Sequence, residues 1–401
     1  MLSASCARTS INLVHYNIKE LETAKLKSPN EQVKMVKKVI DRLQSERDID
    51  LLSINEIQYD LPGVPNAQEQ SSGENLKRLA NILDREDHHL VFLAANTGKK
   101  ALKRSNGSFV STGDRDANNF ADQTNYGLFP AQYSTGLISQ FDVVNSISLR
   151  DLPWRDIRPN LNLSEYRDGA GQMLPADIDL FDKSFNDITL RDRQGREFHL
   201  IMLHTVPAYH FGNKQTPNYI RNADQLNFLL WYVSGETFSD MRPPKQIRPL
   251  VPGTPFIIVG DLNVDIKSQH PGAIVLKEML KHGIQSVLPD FPGTYLGDDI
   301  STMPENRTLL NLDYILYSSH FSINSAGVYL PPSQKEDLDC LEEKLDQDQE
   351  LELKQKVARS GKVLVEYLKE NKLCRILLAK DFYELAKSSD HLPVWASFEW
   401  K

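Results

Sequence analysis

The chain has 401 residues, a formal charge of −8, and 40% hydrophobic against 25% charged residues, ordinary values for a globular protein with a large core. No apolar run approaches the ~18 residues of a membrane span, so no integral membrane segment is expected. The acidic balance argues against a broad basic surface of the kind that drives non-specific nucleic-acid binding, although a local basic patch or a bound divalent cation would reverse the field within a site.

Three cysteines, Cys6, Cys340 and Cys374, form no disulfide framework and have no CxxC zinc spacing. Cys340 and Cys374 are expected as two buried thiols, with a bridge between them as the lesser alternative. Residues 1–6 lack a basic n-region and an apolar h-region, so they make no complete signal peptide. The small residues before Cys6 match the end of a bacterial lipoprotein signal without its front, which weakly favours export over a cytoplasmic location.

Residues 11–18 alternate apolar and polar side chains and predict a first strand ending at Asn17. Val33, Val36, Val39, Ile40 and Leu43 share one face of a helix over 32–43. A second strand over 49–54 ends at Asn55 and Glu56. Strand, helix, strand opens an α/β layering, and polar groups at strand ends commonly line the crevice of such sheets. Glu56 is a good hard ligand for Mg²⁺ and Asn17 a carbonyl or water-mediated partner. A solvated side chain at a loop entrance is the commoner outcome for any single Glu.

Residues 62–73 read as a loop, 74–84 as a second amphipathic helix and 90–95 as a strand. From 96 to 132 the composition shifts to Asn, Gly, Ser, Asp and Thr, the mark of a long binding or disordered loop. Lys99, Lys100, Lys103 and Arg104 within it form a basic cluster suited to a phosphate-bearing substrate or simply to solvent. Strands are expected over 133–140 and 143–149. Trp154 to Arg158 then sets two guanidinium groups beside an aromatic ring, suited to phosphate oxygens or to a structural bridge with Asp156. Of two further strands, 185–190 and 197–203, the second ends at His204, which could donate to a phosphate or protonate a leaving group. A helix covers 222–233.

In the stretch 256–265, FIIVGDLNVD, four apolar residues predict a buried strand, and Gly260 releases the backbone so that Asp261 and Asn263 project on one side. That carboxylate can orient an attacking water, and the amide can donate to a phosphoryl oxygen. The ordinary alternative is a β-turn after a core strand. A short helix over 273–280 follows. The strand over 309–317 carries Asp313 in its centre, a costly place for a carboxylate unless it is paired, which favours a functional or histidine-paired role. Asp390 and His391 then precede a final strand.

Asn17, Glu56, His204, Asp261 with Asn263, Asp313, and Asp390 with His391 follow in this order, each at or beside a predicted strand end. With its G-D-L-N block at 260–263, L-D-Y-I-L block at 312–316 and S-D-H block at 389–391, the chain resembles the endonuclease/exonuclease/phosphatase superfamily, also called deoxyribonuclease-I-like, over residues 11–398. The resemblance implies an α/β fold, a four-layer α/β sandwich of two packed mixed β-sheets flanked by helices. It also implies one domain over 1–401, with a long loop at 96–132 and an insertion at 334–387. The implied chemistry is divalent-metal-dependent cleavage of a phosphoester, with Mg²⁺ as cofactor and Mn²⁺ or Ca²⁺ as alternatives.

Under the resemblance Glu56 is the principal metal ligand, with Asn17 nearby and Asp390 assisting. Asp261 orients or deprotonates the water, Asn263 holds a phosphoryl oxygen and His391 is the paired acid/base residue. His204 contacts the phosphate from the other side, oriented by Asp313. The sequence departs from the family at Asn55, where many relatives have Gln, and at Ser139-Gln140, where many have Ser-Arg. The Trp-Cys-Asp-Arg pattern of inositol polyphosphate phosphatases is absent around Asp313, which disfavours that branch. A looser likeness is to large bacterial members with long loops after the second helix, many of them exported.

The insertion is dense in Glu, Asp, Lys and Leu, with Leu338, Leu341 and Leu345 at helical spacing, an interruption at Gly361 and a second helix expected from Val363. It predicts a charged, solvated helical hairpin, with a partner-docking arm as the sharper alternative. The functional expectation is a phosphodiesterase hydrolysing a phosphoester substrate by in-line attack of an activated water, nucleic acid being the favoured substrate. A sphingomyelinase-like lipid phosphodiesterase or a phosphomonoesterase is the alternative within the enzyme class. A binding scaffold without catalysis is the alternative outside it.

Overall fold

The computed structural model describes residues 10–60, 73–287, 293–297, 309–338, 340 and 347–401. Cys6 and the residues around it, most of the 62–73 loop, and Leu341 and Leu345 lie outside the described residues. Strands of the first half are β1 (Ser10–Leu21), β2 (Leu51–Ile57), β3 (His89–Leu93), β4 (Ser134–Ser139), β5 (Asp142–Leu149), β6 (Phe185–Arg191) and β7 (Glu197–His204). The second half adds β8 (Phe256–Asp261), β9 (Gln285–Ser286), β10 (Asp313–Tyr317), β11 (Phe321–Val328), β12 (Glu336–Asp337), β13 (Val363–Lys369), β14 (Lys372–Leu378) and β15 (Val394–Trp400).

Two six-stranded mixed sheets result, in the orders β11-β15-β1-β2-β4-β3 and β5-β6-β7-β8-β10-β9. Each contains one parallel pair, β1 with β2 and β7 with β8, among antiparallel neighbours. A parallel pair needs a crossover, and helices Glu31–Glu46 and Asn218–Ser234 supply the two. The apolar residues fall into three clusters that define the layers. Ile11, Leu13 and Leu51 meet Leu200, Met202, Ile257 and Ile315 between the sheets. Val14, Tyr16, Leu52 and Ile54 pack outward under helices Glu31–Glu46, Glu74–Ile82 and Lys380–Ser388. Ile201, Leu203 and Ile258 pack outward under Asn218–Ser234 and Pro271–Lys281. The fold is therefore the four-layer α/β sandwich that the sequence implies.

Strand alternation also positions the polar groups. Side chains two residues apart share a face, so Ile11, Leu13, His15 and Asn17 of β1 form one inward row. Leu51, Ser53 and Asn55 do the same on β2, Ile257, Val259 and Asp261 on β8, and Ile315 and Asp313 on β10. Each row is apolar at one end of the sandwich and polar at the other, and the polar ends coincide.

Four expectations need correction. Asp313 opens β10 instead of lying at a strand centre. Residues 363–368 form β13, not a helix: their β-branched and aromatic side chains suit a strand, and Glu370 and Asn371, with φ of 49° and 65°, make the two-residue hairpin turn to β14. Leu338 is likewise extended, its N–H donating to Arg375 O at 2.9 Å. Cys340 and Cys374 are joined in a disulfide instead of remaining thiols, tying the chain beside β12 to β14. The charged helix Gln347–Ser360 does occur, with no buried residue, but Ile376, Leu378, Phe382 and Leu385 beyond it belong to the main core. In the 96–132 loop, Phe109, Val110, Leu128 and Phe129 bury against Tyr59 as a satellite core.

Candidate active site

The site begins where β7 and β8 run side by side. Gly260 has φ of 150°, and a Cβ there would lie 1.8 Å from Leu203 O. Only glycine lets the two backbones approach at the residue before Asp261. The chain then turns through Asn263 at φ 51°, a left-handed conformation that Asn tolerates. Asn263 N donates to Asp261 Oδ1 at 2.8 Å, so the turn chemistry is real. It occupies only one carboxylate oxygen. Asp261 Oδ2 accepts from Asn17 Nδ2 at 3.1 Å and faces His204 Nε2 at 3.6 Å and His391 Nε2 at 3.9 Å. The other sheet also holds Asp261 from behind: Asn55 Oδ1 accepts from Asp261 N at 3.0 Å, while Asn55 Nδ2 donates to Thr135 Oγ1 at 3.0 Å. This is the role of the Asn55 amide.

Asp313 is fully buried between two imidazoles. His391 Nδ1 lies 2.7 Å from its Oδ2, and His15 Nε2 lies 3.3 Å from its Oδ1. Burial pushes the Asp313 carboxyl up, but His391 and His15 outweigh it and hold it well below the usual carboxylate range. Burial pushes His391 down, yet Asp313, Asp261 and Asp390 outweigh that and raise it to about 10. Asp261 is raised to about 7 by burial and by Asp313, against the opposing pull of His391. His204 is held well below its ordinary value by burial, Lys183 and His391, so it is neutral at pH 7, and its Nδ1 is buried without a hydrogen-bond partner.

Glu56 sits on a bulge. Its φ of 67° and the register shift between Asn55 and Ile57 re-aim a side chain that simple alternation would send under the helices. Its Oε2 accepts from Glu20 N at 3.1 Å. Burial and the neighbouring Asp390 raise its carboxyl to about 7. Asp390 Oδ2 is 3.6 Å from Lys19 Nζ, and Ser389 Oγ ties the same segment to Asn17 O at 2.7 Å. Asn17 Oδ1 is buried without a partner. An orphaned amide oxygen and two neighbouring carboxylates, of which Asp390 raises the proton affinity of Glu56, are the hard oxygen donors a divalent cation takes. Donor atoms of Asp261, Asp313 and His391 also lie within 4.8 Å of one another, a spacing able to hold a metal ion. While Asp313 keeps His391 protonated, that ring is no ligand, so the oxygen set fits a cation better.

All eight singled-out side chains therefore lie at the polar end of the sandwich. One pairing differs from expectation: Asp313 contacts His391 and His15, not His204, because β10 starts beside the His391 turn. Two residues of consequence went unrecognised. His15 bridges Ser53 Oγ at 3.0 Å and Asp313, and its signal was its place two residues before Asn17 on the same strand face. Lys183 is buried, 2.8 Å from Asp182 Oδ2 and 3.3 Å from Thr205 O, where its charge acts on both His204 and Asp261; nothing in its local sequence marks it. Three of the other basic candidates are paired elsewhere. Arg158 bridges Asp224 at 3.1 Å, not Asp156, Lys99 bridges Asp151 at 3.1 Å, and Arg104 bridges Asp116 at 2.8 Å. Ser139 pairs with Leu51 at the apolar end, so the missing Arg after it does not alter the site.

The Asp313–His391 pair makes stability depend on pH from both sides. The depressed Asp313 stabilises the fold above its unfolded value of about 3.9, and that contribution is lost as the pH falls. The raised His391 contributes fully below its unfolded value of about 6.5, and the contribution is lost as the pH rises through about 10. Asp313→Asn should thus lower unfolding free energy by about 3 kcal/mol near pH 6, with the gap narrowing toward both extremes. Denaturant unfolding across pH measures this; a gap independent of pH would assign the loss to packing.

No protein-family model matches the chain, and no curated protein does. Solved structures are similar over nearly its full length. An endonuclease/exonuclease/phosphatase from Beutenbergia cavernae shares 12% identity at a TM-score of 0.49, with 98% of this chain and 72% of that chain covered. A family protein from Bacteroides thetaiotaomicron shares 14% at 0.46, covering 98% of each. Beta toxin from Staphylococcus aureus shares 16% at 0.45, covering 96% and 99%. Likenesses of this order carry no argument about activity. The first two are described as endonuclease/exonuclease/phosphatase proteins, the family that the sequence motifs resemble.

Proposed function

We propose that the chain is a divalent-metal-dependent phosphodiesterase, a phosphoric ester hydrolase acting on nucleic acid, built as one domain over 1–401. The observation that carries the reading is the division of labour at Asp261: Oδ1 is held by the Asn263 turn while Oδ2 faces Asn17, His204 and His391. A carboxylate so held, with a proton affinity near neutrality, suits a base that orients water and takes its proton. His391, kept cationic by Asp313, supplies a fixed positive donor for charge growing on a phosphoryl oxygen. His204 adds a neutral donor. Asn263 Nδ2 gives one proton to Thr205 O at 3.0 Å and keeps its second for a phosphoryl oxygen.

Glu56, Asn17 and Asp390 would hold Mg²⁺, or Mn²⁺ or Ca²⁺ in its place. The chemistry such an ion supplies is neutralisation of charge at the phosphoryl oxygens. The disulfide supports an oxidising compartment, and so export. Among the described residues no helix is long and apolar enough to cross a membrane.

A panel of plasmid DNA, RNA, sphingomyelin and small phosphomonoesters, each with Mg²⁺ and with chelator, tests the reading. Turnover of nucleic acid with metal and none with chelator is expected; sphingomyelin or monoester turnover instead would reassign the substrate, and no turnover at all would refute the enzyme. Asp261→Asn and His391→Ala should each slow the metal-supported reaction by about 10²–10⁴-fold with the fold retained by circular dichroism. A full rate in either variant would break the role assigned to it.

A further inference from the structure

A run of aromatic rings leads away from the reacting centre and is not used by the proposed hydrolysis. Tyr295 packs edge-on against His391, centroids 5.0 Å apart. Tyr209 lies on a second loop at the site, pinned to the Asp261 turn where Ala208 N donates to Asn263 O at 3.1 Å. Burial, then Asp261, Asp265 and Tyr295, push the Tyr209 phenol up to about 12, as expected for a ring between the site and its flank. From Tyr209 the rings continue to Phe211 at 6.2 Å and His270 at 5.4 Å. His270 meets Tyr219 at 5.1 Å, and Tyr219 stacks on His210 at 4.9 Å with 12° between planes. The run opens to solvent at Phe211, whose side chain is 74% exposed.

The chemistry of these rings selects among ligands. Nδ1 of His210 and Nδ1 of His270 are buried without a hydrogen-bond partner. A heteroaromatic base offers such rings a flat face and carries polar groups on its edge, both of which a hydrocarbon tail lacks. Burial and the neighbouring His210 hold His270 below its ordinary value, so it offers a neutral π face. Exposed Lys214 and Lys267 lie on the same two loops and are placed for backbone phosphates. A net charge of −8 argues against a broad cationic surface as the source of affinity, a role that stacking fills. We propose that this run, from Tyr295 through Tyr209 to Phe211, Tyr219 and the two histidines, is a stacking track for the unpaired bases that flank the scissile phosphate of a single-stranded nucleic acid. The inference rests on the phosphodiesterase reading and names its substrate as single-stranded, since duplex bases keep their faces covered.

The test measures binding in chelator, where no cleavage occurs, and cleavage in Mg²⁺. Fluorescence anisotropy would compare a single-stranded oligonucleotide, its abasic counterpart, the duplex, and sphingomyelin–phosphatidylcholine vesicles, using the native chain and Phe211→Ala, Phe211→Trp and Tyr219→Ala. The native chain should bind the base-bearing strand about tenfold tighter than the abasic strand. Phe211→Ala and Tyr219→Ala should each erase most of that preference, and Phe211→Trp should keep it. In cleavage, the two alanine variants should raise KM about tenfold with little change in kcat. Equal binding of base-bearing and abasic strands, or of duplex and single strand, overturns the track. Vesicle binding that Phe211→Ala abolishes, with oligonucleotide binding unchanged, overturns it in favour of a lipid contact. Base preference without turnover of any phosphoester would sink the hydrolase and leave the track standing; turnover without base preference does the reverse.

Discussion

The buried pair of Asp313 with His391 is the interaction on which the rest of the site depends. A carboxylate with no exposed surface is expensive to ionise, and only hydrogen bonds from both sides make it tolerable. His391 supplies one and His15 the other. Because Asp313 is ionised, His391 holds its proton; because His391 is cationic, Asp261 can carry a charge nearby. Remove the first carboxylate and the proton affinities of the other groups rearrange with it. Mutual dependence of this kind explains why eight polar side chains can be gathered at one end of an apolar sandwich.

The sandwich builds that end by repetition of one rule. Inward rows on β1, β2 and β8 begin with Ile or Leu and finish with Asn or Asp, and antiparallel β10 runs back from Asp313 to Ile315, so packing two sheets face to face brings the polar ends together without any long loop to position them. Where alternation would misdirect a side chain, a local device intervenes. The Glu56 bulge turns a carboxylate off the helix-covered face, and Gly260 lets β7 and β8 close at the point where Asp261 is set. Asn55 reaches from one sheet to the backbone of the other and fixes their relative position beside the carboxylate. Rigid strands thus place the groups, consistent with sites that need positions held to a fraction of an ångström.

Much of this was legible in the sequence because it follows from period-two patterning. The strands that carry Asn17, Glu56, His204 and Asp261 were readable from alternation or a short apolar run, and the crossover helices that make the parallel pairs from their apolar faces. His15 obeyed the same rule, but a histidine inside a strand pattern looks like any core polar residue until its partner 298 positions away is known. Lys183 and the pairing of Asp313 with His391 instead of His204 depend on tertiary contacts that no local pattern encodes. The hairpin of β13 and β14 was obscured for a different reason. Its Glu, Lys and Leu content also suits a helix, and only the Glu370-Asn371 turn with both φ values positive decides for strands. The disulfide could not be inferred from spacing, since two cysteines 34 residues apart pair or not according to the register of β14.

Chemically, the account reduces to one proton. If Asp313 holds His391 cationic, Asp261 is left as the base and the oxygen donors of Glu56, Asn17 and Asp390 as the place for a cation. Titration of the His391 imidazole by nitrogen-15 NMR, in chelator and with Asp313→Asn for assignment, measures this directly. His391 should remain protonated through neutral pH and titrate near 10 in the native chain, then fall toward the ordinary value of about 6.5 in the variant. Titration of the native imidazole near that ordinary value would contradict the account.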